Sequence, residues 1–282
     1  MIIPKDHHLY NQFKQLIEDK RLVVFSGLPG VGKSLYINEF FRLAQELNVP
    51  IDLIQWDVAR KAFETDLITE HFPMGDGLVH NGLKLIAGEW LIRFVKKWLI
   101  LNEDTDRILL VEAPLVGHRF IELVKPIPDT FLESFLSSDQ TVVLMPVPTK
   151  EVRSAIEAAR KEQVDEDAKV WFGAKPSVMQ MLWNMTCKIA IELGYDLEEK
   201  DHYEYDPEIY IWVFDKILKH RHFVPLNIDT LFDVPKGSEE ELHKLESHSA
   251  DEYEANKIGS RIIEQYQDSD EIDRIVNGWY LS

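Results

Sequence analysis

The chain has 282 residues, enough for one large α/β domain or a core with a small appendage. Its 49 acidic and 31 basic side chains give a formal net charge of −18, which repels phosphodiester backbones and disfavours general nucleic-acid binding, although salt screening leaves room for a local basic groove. One cysteine, Cys187, excludes an internal disulfide, and neither MIIPKDHHLYNQF at the start nor the charge-broken WLIRFVKKWLIL reads as a signal peptide or a membrane span, so a cytoplasmic enzyme is the expectation.

In chain order, residues 8 to 20 predict a leading helix and RLVVFS predicts a short buried strand over 21 to 26. GLPGVGKS follows, and Gly27, Gly32, Lys33 and Ser34 fit G-x-x-x-x-G-K-[ST], the Walker A pattern. Its glycines allow a tight curl that turns backbone N–H groups inward as an anion nest, and the positive end of the next helix adds to the field. The predicted nucleotide-binding set is Gly27, Leu28, Pro29, Gly30, Val31, Gly32, Lys33, Ser34 and Leu35. Lys33 is expected on the β- and γ-phosphates of ATP, and the Ser34 hydroxyl on Mg²⁺. SLYINEFFRLAQELN predicts an amphipathic helix with Tyr36, Phe40, Leu43 and Leu47 on one face.

VPIDLIQWD predicts a second strand over 51 to 57, ending on Asp57, with Arg60 three residues on. Ligands of open α/β sheets sit at those carboxyl ends, so Asp57 is a candidate general base and Arg60 a candidate acceptor-binding residue. The plainer alternative is a helix cap beside a surface charge. Residues 58 to 106 read as a helical insertion, and the stripe Trp90, Leu91, Phe94, Trp98, Leu99 reads as packing. DRILLVEAP predicts strand three over 107 to 112, closing on Glu112. His118 and Arg119 begin the next loop; Arg119 either meets an acceptor phosphate or is a helix-start charge.

DQTVVLMPV predicts strand four over 141 to 147. The charged segment 148 to 175 is a lid candidate carrying Arg153, Arg160 and Lys161; Arg153 and Arg160 lie seven apart on one helical face. Pairing with Glu151, Glu157 and Glu162 is the competing reading. HFVPLNID predicts strand five near 222 to 228. Residues 236 to 282 form an acidic, mainly helical appendage, solvated or partly mobile, whose Trp279, Tyr280 and Leu281 either dock back or meet a second subunit in a homodimer. The ten histidines show no metal spacing, so Mg²⁺ is expected to arrive with the nucleotide.

No N-K-x-D guanine motif is present, and strand three lacks the Asp-Glu or Asp-Asp ending of motor ATPases. Strand, GLPGVGKS, helix, strand ending D-x-x-R, helical insertion, two strands and an arginine-bearing helix together resemble the kinase branch of P-loop proteins. That branch includes nucleoside monophosphate kinases, gluconate-type kinases, polynucleotide 5′-kinases, seryl-tRNA kinases and zeta toxins. The resemblance implies a three-layer P-loop NTPase fold over residues 1 to 235, with a parallel five-stranded sheet of order 2-3-1-4-5. It further implies an acceptor-side insertion at 58 to 106, a lid at 148 to 175, Asp57 as general base, Arg60 on the acceptor, Glu112 near the metal through water, and Arg153 or Arg160 on the transferring phosphoryl. The expected function is ATP-Mg-dependent phosphotransfer to a hydroxyl of a small metabolite, nucleoside or nucleic-acid end. A nucleotide-dependent regulatory ATPase or interaction protein is the alternative.

Overall fold

The computed structural model describes residues 1–73, 79–166, 176–232 and 245–281, the side chains of 160–166 and of residue 176 excepted. Five strands, β1 (Leu22–Ser26), β2 (Ile51–Gln55), β3 (Ile108–Ala113), β4 (Thr141–Pro148) and β5 (Phe223–Ile228), form one parallel sheet of order β2-β3-β1-β4-β5. Apolar runs rather than alternation make up these strands because both faces are covered. Leu22 and Val24 point into one core and Val23 and Phe25 into the other. The helical layers differ in size. Helices α1 (His8–Asp19) and α2 (Lys33–Glu46) cover one face, with Phe13, Phe25 and Phe40 packed edge to face.

The opposite face carries the rest except the helix Lys150–Glu166, whose Val152 and Ile156 pack into the core of α1 and α2. After β2 come α3 (Trp56–Ala59), a 3₁₀ turn (Arg60–Phe63), α4 (Asp66–His71) and the long α5 (Asn81–Leu101). A second 3₁₀ turn (Ile121–Leu123) and α6 (Thr130–Leu136) lead into β4; α7 (Lys150–Glu166), α8 (Pro176–Glu192) and α9 (Pro207–Ile217) separate β4 from β5. The stripe on α5 is packing, as its spacing implied: Trp90, Leu91 and Trp98 are buried, and Phe94 and Leu99 are partly so. Helices α10 (Glu252–Gln265) and α11 (Ser269–Asn277) lie on α5 and share its core through Ile258, Ile262, Ile272 and Val276. Trp279 docks back on the body, 2% exposed.

Two extents differ from the sequence reading. Strand β2 stops at Gln55, so Asp57 stands in the first turn of α3, where a carboxylate favours the helix dipole. The first turn of α7 is anchored, since Val152 and Arg153 are buried. The Arg160 and Lys161 side chains and residues 167–175 of the lid candidate lie outside the described residues, as do 233–244 of the acidic segment.

Candidate functional site

The carboxyl ends of β1, β2 and β3 lie flush, with Phe25 and Gln55 both in register with Glu112. Everything singled out in the sequence near Asp57, Glu112 and the glycine loop therefore meets along one edge, where ligands of parallel sheets bind. The loop leaves β1 at Gly27 and enters α2 through Gly32, whose φ of 84° is left-handed and favours glycine. No side chain caps the first turn of α2, so its leading amides and dipole face outward together. Two neighbours fix the loop: the Tyr210 hydroxyl accepts the Leu28 N–H at 2.9 Å, and Arg153 Nη1 donates to the Pro29 carbonyl at 2.8 Å. This donor set, uncapped amides closed by Lys33, fits a polyphosphate.

Lys33 Nζ donates to the Gly27 carbonyl at 3.2 Å and stands 3.8 Å from Glu112 Oε1. Both side chains are mostly buried. Burial pushes the Glu112 carboxyl above its ordinary range, and the charge of Asp57 adds to this; Lys33 and the Trp56 amide pull the other way. Ser34 follows Lys33 in the first turn of α2. A serine hydroxyl and a carboxylate are both hard oxygen donors of the kind Mg²⁺ takes.

Asp57 lies at the mouth of the edge with its side chain 62% exposed and receives Arg60 Nε at 3.2 Å. Arg60 also pairs with Glu64. Arg119 approaches from the turn after β3, and its guanidinium lies 5.4 Å over the Trp56 ring. Nothing in EAPLVGHRF foretells how that turn is built. Val116 donates its N–H to Ser26 Oγ at 2.8 Å, Gly117 takes φ 90°, and Phe120 takes φ 55° although it carries a bulky side chain. A positive φ in such a residue costs on the order of 1 to 2 kcal/mol and survives only where packing dictates it. Phe120 is buried edge-on against Trp56, ring centres 5.0 Å apart, and so locks the turn to α3.

Arg153 is no free arm. Its side chain is 3% exposed, its Nε donates to Glu157 at 2.6 Å, and its guanidinium lies 5.4 Å over Tyr205. The competing reading of Arg153 as an intrahelical partner is therefore present, and the same side chain also touches the glycine loop. Beside it a cavity of about 350 Å³ is lined by Arg153, Glu157, Trp183, Tyr203 and Tyr205, among others. His7 and His8, adjacent in sequence, and the distant Asp229 bring three donor atoms within 4.8 Å of one another. Because His7 Nδ1 already accepts the Leu9 N–H, its other nitrogen carries the proton when the ring is neutral.

Residues that sequence reasoning missed are Tyr210, which steadies the loop from 182 positions away, and Lys84, buried on the first turn of α5. No local pattern marks either, because both act across the fold. No model of a known protein family matches the chain, and no curated protein matches it either.

Proposed function

We propose that the chain is an ATP-Mg-dependent phosphotransferase of the P-loop kinase type. The observation that carries this reading is one sheet edge holding an uncapped glycine loop, the Lys33–Glu112 pair and, next to them, Asp57 with Arg60 and Arg119. A carboxylate open to solvent beside two arginines suits an acceptor that carries its own hydroxyl and charge.

In the proposed reaction the acceptor oxygen forms a bond to the γ-phosphorus, the bond from that phosphorus to the β–γ bridging oxygen breaks, and ADP leaves. Asp57 accepts the hydroxyl proton and passes it to solvent, to which it is open. Mg²⁺, when bound, neutralises charge on the phosphates. Lys33 and the amides of 30 to 35 hold the triphosphate, Arg153 keeps the loop in shape through Pro29, and Arg60 orients the acceptor. Acceptor binding competes with Asp57 for Arg60, which frees the carboxylate only when substrate is present.

The test is phosphate transfer from γ-labelled ATP to pooled sugars, nucleosides, RNA ends and their phosphorylated forms. A labelled product, lost in Asp57→Asn with ATP affinity unchanged, supports the reading. Turnover by Asp57→Asn equal to that of the wild type overturns Asp57 as base, and ATP hydrolysis with no labelled product from any pool favours the regulatory ATPase.

A further inference from the structure

We propose that the acceptor is itself a phosphomonoester, whose dianion is held by Lys84 and Arg119 between α5 and the turn after β3. This rests on the phosphotransferase reading above and adds the substrate class. Lys84 is 8% exposed, and among the described residues its ammonium has neither an ion pair nor a hydrogen bond. Arg119 Nε is likewise buried with no partner, while its Nη1 meets only the neighbouring His118, at 3.0 Å to Nδ1 and 3.1 Å to the carbonyl. Buried cations ordinarily have paired anions, because the uncompensated charge is costly. The anions nearby, Asp57 and Asp273, act on Arg119 and Lys84 through their charge but form no ion pair with them: Asp57 is held by Arg60, and Asp273 by Asn81 at 2.7 Å.

Lys84 and His118 both feel the positive charge of Arg119, whereas the charge of Asp57 favours the charged form of Arg119 itself. Burial, then the charge of Arg119, pushes the Lys84 ammonium down to about 8; burial and the same two cations hold His118 down to about 3. Two unpaired positive charges match a phosphomonoester, which is close to a dianion at neutral pH, better than a single carboxylate. The order along the edge also fits. Lys33 faces Glu112, Glu112 feels Asp57, Arg119 feels Asp57, and Lys84 and His118 both feel Arg119. A molecule anchored by its phosphate at Lys84 and Arg119 thus extends its hydroxyl past Asp57 toward the glycine loop. The C-terminal segment walls the far side, with Asp273 near Lys84 and the Trp279 ring 6.1 Å from His118.

The probe is inorganic phosphate, titrated into the full chain carrying Lys33→Ala to weaken the glycine loop, and followed by calorimetry. The expected result is a remaining phosphate site that weakens at least about tenfold when Lys84→Met is added, as loss of a charge-assisted contact requires; Arg119→Gln is the second variant should the first fail to fold. Loss of all phosphate binding in Lys33→Ala alone, or no change on adding either variant, overturns the proposal. Malonate at equal ionic strength tests the source, and binding as tight as that of phosphate overturns the phosphomonoester assignment. A readout without any variant is the His118 imidazole by NMR, whose titration should move upward with phosphate; an unmoved titration counts against the site. ATP affinity of the wild-type chain, measured separately, reports on the phosphotransferase reading alone. A Lys84-dependent phosphate site in a chain that binds no ATP sinks that reading and not the anion site.

Discussion

Lys33 and Glu112 show how one residue pair links fold and chemistry. The pair lies 3.8 Å apart and mostly out of water, so each charge is kept largely by the other. On the proposed function, Lys33→Ala removes a charge-assisted contact to phosphate worth about 1.5 to 3 kcal/mol, so ATP-Mg affinity should fall about 10- to 100-fold by calorimetry. Glu112 can take a proton instead of staying charged, so the variant should still melt cooperatively; unchanged affinity in a folded variant rejects the phosphate-binding role. Glu122 offers a second test. Its Oε2 is buried without a partner among the described residues, and burial, reinforced by Glu89, pushes the carboxyl up to about 8 from 4.5. Between those two values the folded chain keeps a proton that the unfolded chain has lost. This group's contribution is therefore fully present below about 4.5 and is lost as pH rises through about 8, with a limiting slope of about 1.4 kcal/mol per pH unit. Glu122→Gln should flatten that decline, so its melting temperature should gain on the wild type from about pH 5 to 8. A constant difference across that range would place the carboxyl in water. Neither property of Glu122 is legible in IELVK, because both arise from Gly88 of α5 lying against the carboxylate, where an added Cβ would come within 1.8 Å of it.

Among the elements, those made by local chemistry were legible and those made by distant packing were not. The five strands and the leading helix carried their own apolar runs, and the parallel order 2-3-1-4-5 followed from the resemblance around GLPGVGKS. Asp57 was placed at a strand end because QWD continues the apolar run, yet Gln55 closes the strand and the helix begins at once. The turn from Leu115 to Phe120 was opaque, since its partners are distant in sequence: Ser26, Trp56 and, against Gly117, Trp279 more than 150 residues away. That dependence can be measured with two glycines. Gly194 (φ 93°) has no atom within 4 Å of where a Cβ would stand, whereas at Gly117 (φ 90°) a Cβ would sit 2.3 Å from Trp279. Gly194→Ala pays only the left-handed backbone cost of about 1 to 2 kcal/mol. Gly117→Ala adds overpacking of about 1 to 3 kcal/mol against a buried ring. Thermal melts should show the Gly117 variant lower, by on the order of 5 °C relative to the Gly194 variant. Equal melting temperatures would mean that Trp279 does not bear on the turn.

At the scale of the whole molecule, the acidic composition after Pro235 suggested a solvated appendage, whereas its described helices are part of the larger core. Charge content misled because only one stripe of each helix is apolar. Ile258, Ile262, Ile272 and Val276 supply those stripes, and the acids that outnumber them lie outside. Polar ties fix the register: Trp90 Nε1 donates to Glu254 at 3.2 Å, Thr65 to Asn256 at 2.6 Å, and Lys125 to the Gly278 carbonyl at 2.9 Å. Each large apolar side chain buried here contributes about 1.5 to 3 kcal/mol, and whole-chain stabilities are usually about 5 to 15 kcal/mol. A chain ending at residue 249 therefore loses several such side chains at once and exposes Trp90 and the flank of α5 to water. It should fail to give one cooperative melting transition and should bind a hydrophobic dye at room temperature. Wild-type amides in 255–262 should exchange as slowly as those of β1, because opening α10 strips the same core that β1 faces. Fast exchange of that helix beside a slow β1, together with a normal melt of the shortened chain, would return the segment to the role of a separate appendage. The turn after β3 would then stand without its wall, since Trp279 reaches Gly117 and His118 only while α10 and α11 hold it there.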